Sequence, residues 1–279
     1  MMTEKEITQT IMFINTLGYY QCYDAVKKWF KWDDKTTKEN IKFVFDSKII
    51  NRNNWIKMKV TLNHITPKAE EQIVKIARVS SKRIDKKVKP DGLIKYLIKH
   101  KHWSPFEHGY MSIEIETSKA IGIQLIRHRS FTFQEFSQRY QNVNQLGEMF
   151  EEVELRKQAQ DNRQSSTKTV DPEFMMGTFE PLNVQHKSAS LYIKDFLSQA
   201  QDLYNKLLQS GVARETARMI LPMCTKTKIH MTGSIRSWIH FLDLRDDGHA
   251  QKEIQLIAKE IKNIFTKEFP IIAKALNYE

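Results

Sequence analysis

The sequence predicts an α+β fold with strands early and helices late. Three observations point to it: apolar–polar alternation over residues 108–117, helical periodicity from Ser188 to the end, and the lack of any internal repeat. The 279 residues are 41% hydrophobic and 28% charged, a globular composition that fits one large domain plus an appendage.

Residues 1–57 read as a helical extension, with Ile7, Ile11, Ile14 and Leu17 at helical spacing and a second apolar cluster in Ile41–Phe45. A new domain, 58–279, starts at Met58, where MKVTLNHIT reads as a strand entering a turn at Pro67. Ala69–Val79 follows as a helix. In 108–117, Met111, Ile113 and Ile115 alternate with Ser112, Glu114 and Glu116, which makes a half-buried strand. Ser118 then suits the cap of a helix through Ile121–Ile126. Residues 141–185 are polar, hold Pro172 and Pro181, and read as surface excursions. Helices are expected over Leu191–Leu208, Arg214–Leu221, Ile235–Leu244 and Ala250–Phe269.

Several classes are disfavoured. No apolar run reaches the roughly 18 residues of a membrane span, and the N-terminus lacks the order of a secretory signal. Two cysteines, Cys22 and Cys224, make no disulfide framework or Cys-rich zinc site and point to a reducing compartment, the cytoplasm. No two of the nine glycines lie within ten residues of each other, so no glycine-rich phosphate loop exists. A bound nucleotide must therefore be held by side chains. His100, His102 and His108 show only an H-x-H spacing, too weak to support a metal site.

The net charge is +11, and residues 75–101 supply +8 of it through ten basic side chains against Asp85 and Asp91. Such a stretch fits a nucleic-acid backbone or a solvated face. Few aromatics interrupt it, which weakens a base-stacking platform.

The densest polar segment is QLIRHRSFTFQEFSQRY, residues 124–140. If Gln124–Arg129 ends one helix and Gln134–Tyr140 forms the next, Arg127 and Arg129 face the joining turn. Two guanidinium forks there suit a phosphate, a carboxylate or a ring carbonyl. Ser137 lacks a nearby general base and suits a phosphate contact better than nucleophilic attack. In LDLRDD, Arg245 either pairs with Asp246 or Asp247 at a helix end or serves a ligand. Arg218 reads as a helix-surface charge or an anion contact, and His249 as a structural histidine or part of a site.

Arg127-His128-Arg129, seven residues, then Ser137 with Arg139-Tyr140, resembles the signature of the flavin-dependent thymidylate synthases. Ala77-Arg78-Val79-Ser80 and His102-Trp103-Ser104-Pro105-Phe106-Glu107-His108 resemble that family's N-terminal motifs. Gly211-Val212, Glu215, Ala217-Arg218 and Leu221-Pro222 resemble a helix of its second half. Arg236-Ser237, His240-Phe241-Leu242, Leu244-Arg245 and His249-Ala250-Gln251 resemble its last block. The likeness runs from about Met58 onward and leaves 1–57 unmatched.

The resemblance implies an antiparallel sheet flanked by helices, assembled as a homotetramer with FAD and substrate at subunit junctions. It implies conversion of dUMP to dTMP, with methylenetetrahydrofolate as one-carbon donor and NADPH as reductant, and without an enzyme nucleophile. By position, Ser104, Arg127, His128, Arg129, Glu135, Ser234, Arg236 and His240 would hold FAD. Gln124, Arg127, Glu135, Ser137, Gln138, Arg139 and Arg218 would bind dUMP, the last from a neighbouring subunit. Arg245 would sit on the uracil ring as the catalytic group, and His102 would line the flavin–folate pocket. The sequence departs from the pattern at Ser234 and His240, where many members carry Asn, and at Trp103, a place often held by a smaller or acidic residue. Two alternatives remain: a pyrimidine-nucleotide hydroxymethylase on the same scaffold, and a basic nucleic-acid-binding protein, which the small-anion reading disfavours.

Overall fold

The computed structural model describes residues 26–33, 35–37, 39–40, 58–79, 90–177 and 184–278. The chain divides into two compact units, Met1–Lys57 and Met58–Glu279. In the first, residues 26–30 are helical. Phe30 stacks on Trp32 at 4.6 Å, and Asp33 caps the following turn by accepting from Thr36 N at 2.7 Å. The expected apolar positions Ile7 to Leu17 and Ile41–Phe45 lie outside the described residues, as do residues 80–89 of the basic stretch.

The second unit is built on a four-stranded antiparallel sheet in the order β1-β2-β8-β3. The strands are β1 (Lys59–Ile65), β2 (Tyr110–Ser118), β3 (Phe131–Glu135) and β8 (Lys226–Ser234). Their inward positions, Met111, Ile113, Ile115, Ile229 and Met231, are fully buried. The opposite face carries Glu114, Glu116, Lys228 and His230, with Lys228 Nζ 3.1 Å from Glu114. Period-two patterning thus separates core from water across the whole sheet.

Helices α1 (Ala69–Ala77) and α2 (Pro90–Lys99) precede β2. Helix α2 lies within the basic stretch and buries Ile94 and Leu97 while exposing Lys95 and Lys99, so this part of the charge is a solvated helix face. After β2 comes α3 (Lys119–Leu125). Ser118 occupies its cap position, but its side chain makes no capping bond. Backbone carbonyls take the helix N–H groups instead: Lys119 N donates to Thr225 O at 2.8 Å and Ala120 N to Met223 O at 3.0 Å.

The polar 141–188 region folds into two hairpins, β4 (Arg156–Gln158) with β5 (Ser166–Thr169) and β6 (Glu173–Gly177) with β7 (Val184–Ser188). Helix α4 (Ala189–Gln209) follows and packs Tyr204 with Val143, Met149 and Ala217 in a small second core. The expected helix over Arg214–Leu221 stops early. Helix α5 (Arg214–Ala217) passes into a 3-10 turn, Arg218–Ile220, because Pro222 bars helical conformation just beyond. Strand β8 leads without a loop into α6 (Ile235–Arg245), followed by α7 (Lys252–Glu268) and α8 (Pro270–Leu276). Ile254, Ile257, Ala258, Ile261 and Phe265 of α7 form one buried stripe at helical spacing and join α6 and the sheet in the main core.

Two expectations fail. Gln134–Tyr140 is not a helix: Phe131–Glu135 pairs with β8, and residues 138–140 form a turn. The alternation of Phe131 and Phe133 against an open strand edge outweighs helical propensity. Helices also do not monopolise the late sequence, since β8, a central strand, falls at 226–234.

Gly233 on β8 faces Phe131, and a Cβ there would stand 2.4 Å from the Phe131 ring. That ring is held by Trp238 at 4.7 Å. Gly233→Ala should therefore cost about 1–3 kcal/mol. A thermal melt indistinguishable from that of the unsubstituted protein would contradict this.

Candidate functional site

Helix α6 organises the site at both of its ends. At the N-terminal end, Ser234 caps the helix by accepting from Ser237 N at 3.2 Å. Its hydroxyl also donates to Glu107 Oε2 at 2.6 Å, and Arg236 Nη1 donates to Glu107 Oε1 at 2.7 Å. Burial pushes the Glu107 carboxyl up, but these two donors outweigh it and hold the group below the ordinary carboxylate value. Ser104 opens the same 3-10 helix, Ser104–His108, that carries Glu107. His102 lies just before it, exposed, with its ring 6.1 Å from that of His100 and 6.0 Å from Tyr96.

At the C-terminal end, Arg245 Nε donates to His128 Nε2 at 2.9 Å. The two residues are 117 positions apart, so this bond joins the Arg-His-Arg segment to the last block of the chain. His128 is 9% exposed and its ring lies edge-on to Phe241 at 5.0 Å. Burial, then the neighbouring Arg245 and His240, lower its pKa to about 4. The ring is therefore neutral at pH 7, and the bond from Arg245 places its proton on Nδ1. Neither aspartate following Arg245 binds it: Asp246 accepts from Lys262 at 2.8 Å, and Asp247 from His249 N at 2.7 Å. His249 itself is an exposed residue turned onto Asp247. A link between the two ends comes from Ser237, whose hydroxyl donates to Ser130 O at 3.2 Å.

Arg127 and Arg129 flank the buried His128 and are both exposed. Neither has a hydrogen-bond or ion-pair partner among the described residues. Two uncommitted guanidiniums are a donor set that fits the pyrophosphate of a dinucleotide cofactor. His240 is also exposed, on α6.

Three further groups of expected residues are already engaged. Glu135 Oε1 accepts from Lys119 Nζ at 2.7 Å and from Thr227 Oγ1 at 2.8 Å, which leaves Oε2 for a ligand. Gln124 Nε2 donates to Gln251 Oε1 at 2.6 Å. Arg139 lies 3.5 Å from Glu215, whose backbone carbonyl accepts from Arg218 Nε at 3.4 Å, so these two arginines share one surface. Ser137 is half-buried in the turn, and the neighbouring Gln138 is buried with its Nε2 unpartnered, a donor left for a ligand. Lys119, Thr227 and Gln251 had no assigned part in the sequence reading. Lys119 and Thr227 carry no motif, and only the strand–helix geometry brings them to Glu135.

Because His128 is held neutral in the fold and titrates near 6.5 when unfolded, the unfolded chain takes up the extra proton first as pH falls. Stability should decline from about pH 6.5 to about pH 4, by on the order of 2–3 kcal/mol from this group. Denaturant unfolding across that range should show the slope, and His128→Leu should lack that part of it. Equal slopes in both proteins would refute the assignment.

Comparison with known proteins bears on these contacts. The family model described as "Thymidylate synthase complementing protein" matches residues 61–271. A probable flavin-dependent thymidylate synthase of Paramecium bursaria Chlorella virus 1 is 44% identical over 214 residues, covering 75% of this chain and 91% of that one. The flavin-dependent thymidylate synthases of a Synechocystis species and of Thermosipho melanesiensis are 40% and 36% identical, covering 67% and 71% of this chain. They are covered over 80% and 81% of their own lengths.

Proposed function

Since this chain belongs to the flavin-dependent thymidylate synthases, we propose that it methylates dUMP to dTMP, with methylenetetrahydrofolate as one-carbon donor and NADPH as reductant. The products balance as dTMP, tetrahydrofolate and NADP+. FAD, when bound, supplies the hydride chemistry and the relay of the one-carbon unit to uracil C5. Arg127 and Arg129 would grip its pyrophosphate, with Ser104, Ser234, Arg236 and His240 at the other contacts. Gln124, Glu135, Ser137, Gln138 and Arg139 would hold dUMP, and Arg218 would reach the phosphate of a neighbouring subunit's dUMP. His102 would line the folate side.

The carrying observation is Arg245 turned onto neutral His128, a cation with no carboxylate partner among the described residues. Such a cation stabilises negative charge developing on the uracil ring, as in its N3-deprotonated form. Exposure of Tyr140 (70%) and Met219 (77%) beside Arg139 and Arg218 supports a neighbouring subunit at that surface, in keeping with a homotetramer. Among the described residues, no helix is long and apolar enough to cross a membrane. The proposed enzyme would work in the cytoplasm, a reducing compartment in keeping with its two cysteines. Residues 1–57 form an extension outside the catalytic domain, 58–279.

The test is product analysis with dUMP, methylenetetrahydrofolate, NADPH and FAD. The expected product is dTMP, with NADPH oxidation that depends on dUMP. A product one oxygen heavier would indicate hydroxymethylation, and oxidation indifferent to dUMP would reduce the protein to a flavin reductase.

A further inference from the structure

We infer that His128 is a positioning residue for Arg245: its ring nitrogen takes the guanidinium Nε and leaves both Nη groups free for the substrate. The inference rests on the reading that Arg245 acts on the nucleotide base. The Arg-His-Arg segment alternates outward, inward, outward, with Arg127 and Arg129 exposed and His128 buried. Its ring is walled edge-on by Phe241 at 5.0 Å and Phe131 at 6.3 Å, and its backbone N–H donates to Leu125 O at 3.1 Å. With Nε2 spent on Arg245, only Nδ1–H remains for any further contact of the ring.

The choice of histidine has a chemical reason. A carboxylate in this place would orient Arg245 equally well but would cancel its charge. A neutral imidazole accepts the Nε–H bond and leaves the full positive charge available where negative charge develops. Nε also fixes the plane of the guanidinium, because the remaining donors form a rigid fork. Burial and the neighbouring Arg245 and His240 keep the imidazole neutral.

The experiment compares the holoenzyme with His128→Leu, which removes the acceptor, and His128→Gln, which restores a neutral one near Nε2. For His128→Leu we expect kcat to fall about 30- to 100-fold, as for a displaced catalytic group. Turnover is read at saturating FAD, so that a flavin contact of His128 does not enter kcat, and dUMP affinity should stay within about threefold. His128→Gln should recover turnover to within about fivefold of the unsubstituted enzyme. In an Arg245→Ala background His128→Leu should cost less than about twofold more, since residues that act as a unit are not additive. Unaltered kcat in His128→Leu at saturating FAD, failure of His128→Gln to recover turnover, or a fully multiplicative loss with Arg245→Ala would each overturn the inference. If the unsubstituted enzyme formed no dTMP, the function would be refuted, and the nitrogen resonance would still decide whether His128 holds Arg245. The 15N resonance of His128 Nε2 should shift in Arg245→Ala, and an unmoved resonance would reject the contact.

Discussion

Arg245→Ala is expected to lower dUMP-dependent turnover by about 10²–10³-fold, the scale for losing one preorganised charge at a reacting centre. Three features set that magnitude. The guanidinium is partly withdrawn from water, and burial alone lowers its pKa while leaving it charged, so its field is less screened than that of a surface arginine. It stands at the last residue of α6, where the helix dipole favours a cation. It is also spared by its acidic neighbours, since Asp246 is held by Lys262 and Asp247 by His249. Turnover should be measured beside circular dichroism and a thermal melt, both expected to be little changed. A loss below about tenfold would remove Arg245 from the chemistry. Arg245→Lys should not rescue, because an ammonium lacks the Nε donor that His128 receives.

The largest stability effect is expected at Trp238. Its side chain is fully buried, and its Nε1 donates to Met111 O at 2.9 Å, tying α6 to β2. Trp238→Ala should cost about 3–5 kcal/mol through lost contacts and a cavity, with the lost indole hydrogen bond adding to it. Phe131 and Phe241, which wall His128, both lean on this ring at 4.7 and 5.7 Å. Denaturant unfolding provides the measurement, and Trp238→Phe, which keeps most of the volume, should lose much less. A midpoint shift equal in the two variants would show that packing volume is not what matters there.

Strand β2 was legible because Met111, Ile113 and Ile115 alternate cleanly with polar residues. Helices α6 and α7 were legible from their apolar stripes. Strand β8 is not legible in the sequence, although it alternates equally well in the structure. Its inward positions begin with Thr227 and end with Gly233, so apolarity fails to mark both ends. The helix expected over Gln134–Tyr140 fails because Gln134 and Glu135 belong to β3, whose short run depends on pairing with β8, a tertiary effect that propensity does not carry. The candidate site residues rest on likeness to a family, while their contacts are not visible in the sequence. Nothing local to Arg245 announces His128, and nothing in Glu135 announces Lys119 and Thr227.

The junction at Ser234 has a kinetic meaning. Strand β8 is bonded on both flanks, to β2 and β3, and passes into α6 with no intervening loop. Local opening of α6 therefore requires disturbing a central strand of the sheet, and its amides should exchange with solvent slowly. The hairpins of 156–188 are two-stranded and can open alone at small cost. Protease attack and deuterium uptake should begin in those hairpins, at a distance in free energy from the helix that carries Ser234, Arg236 and Arg245. Ser234, Arg236 and Arg245 thus ride on a part of the catalytic unit expected to open late.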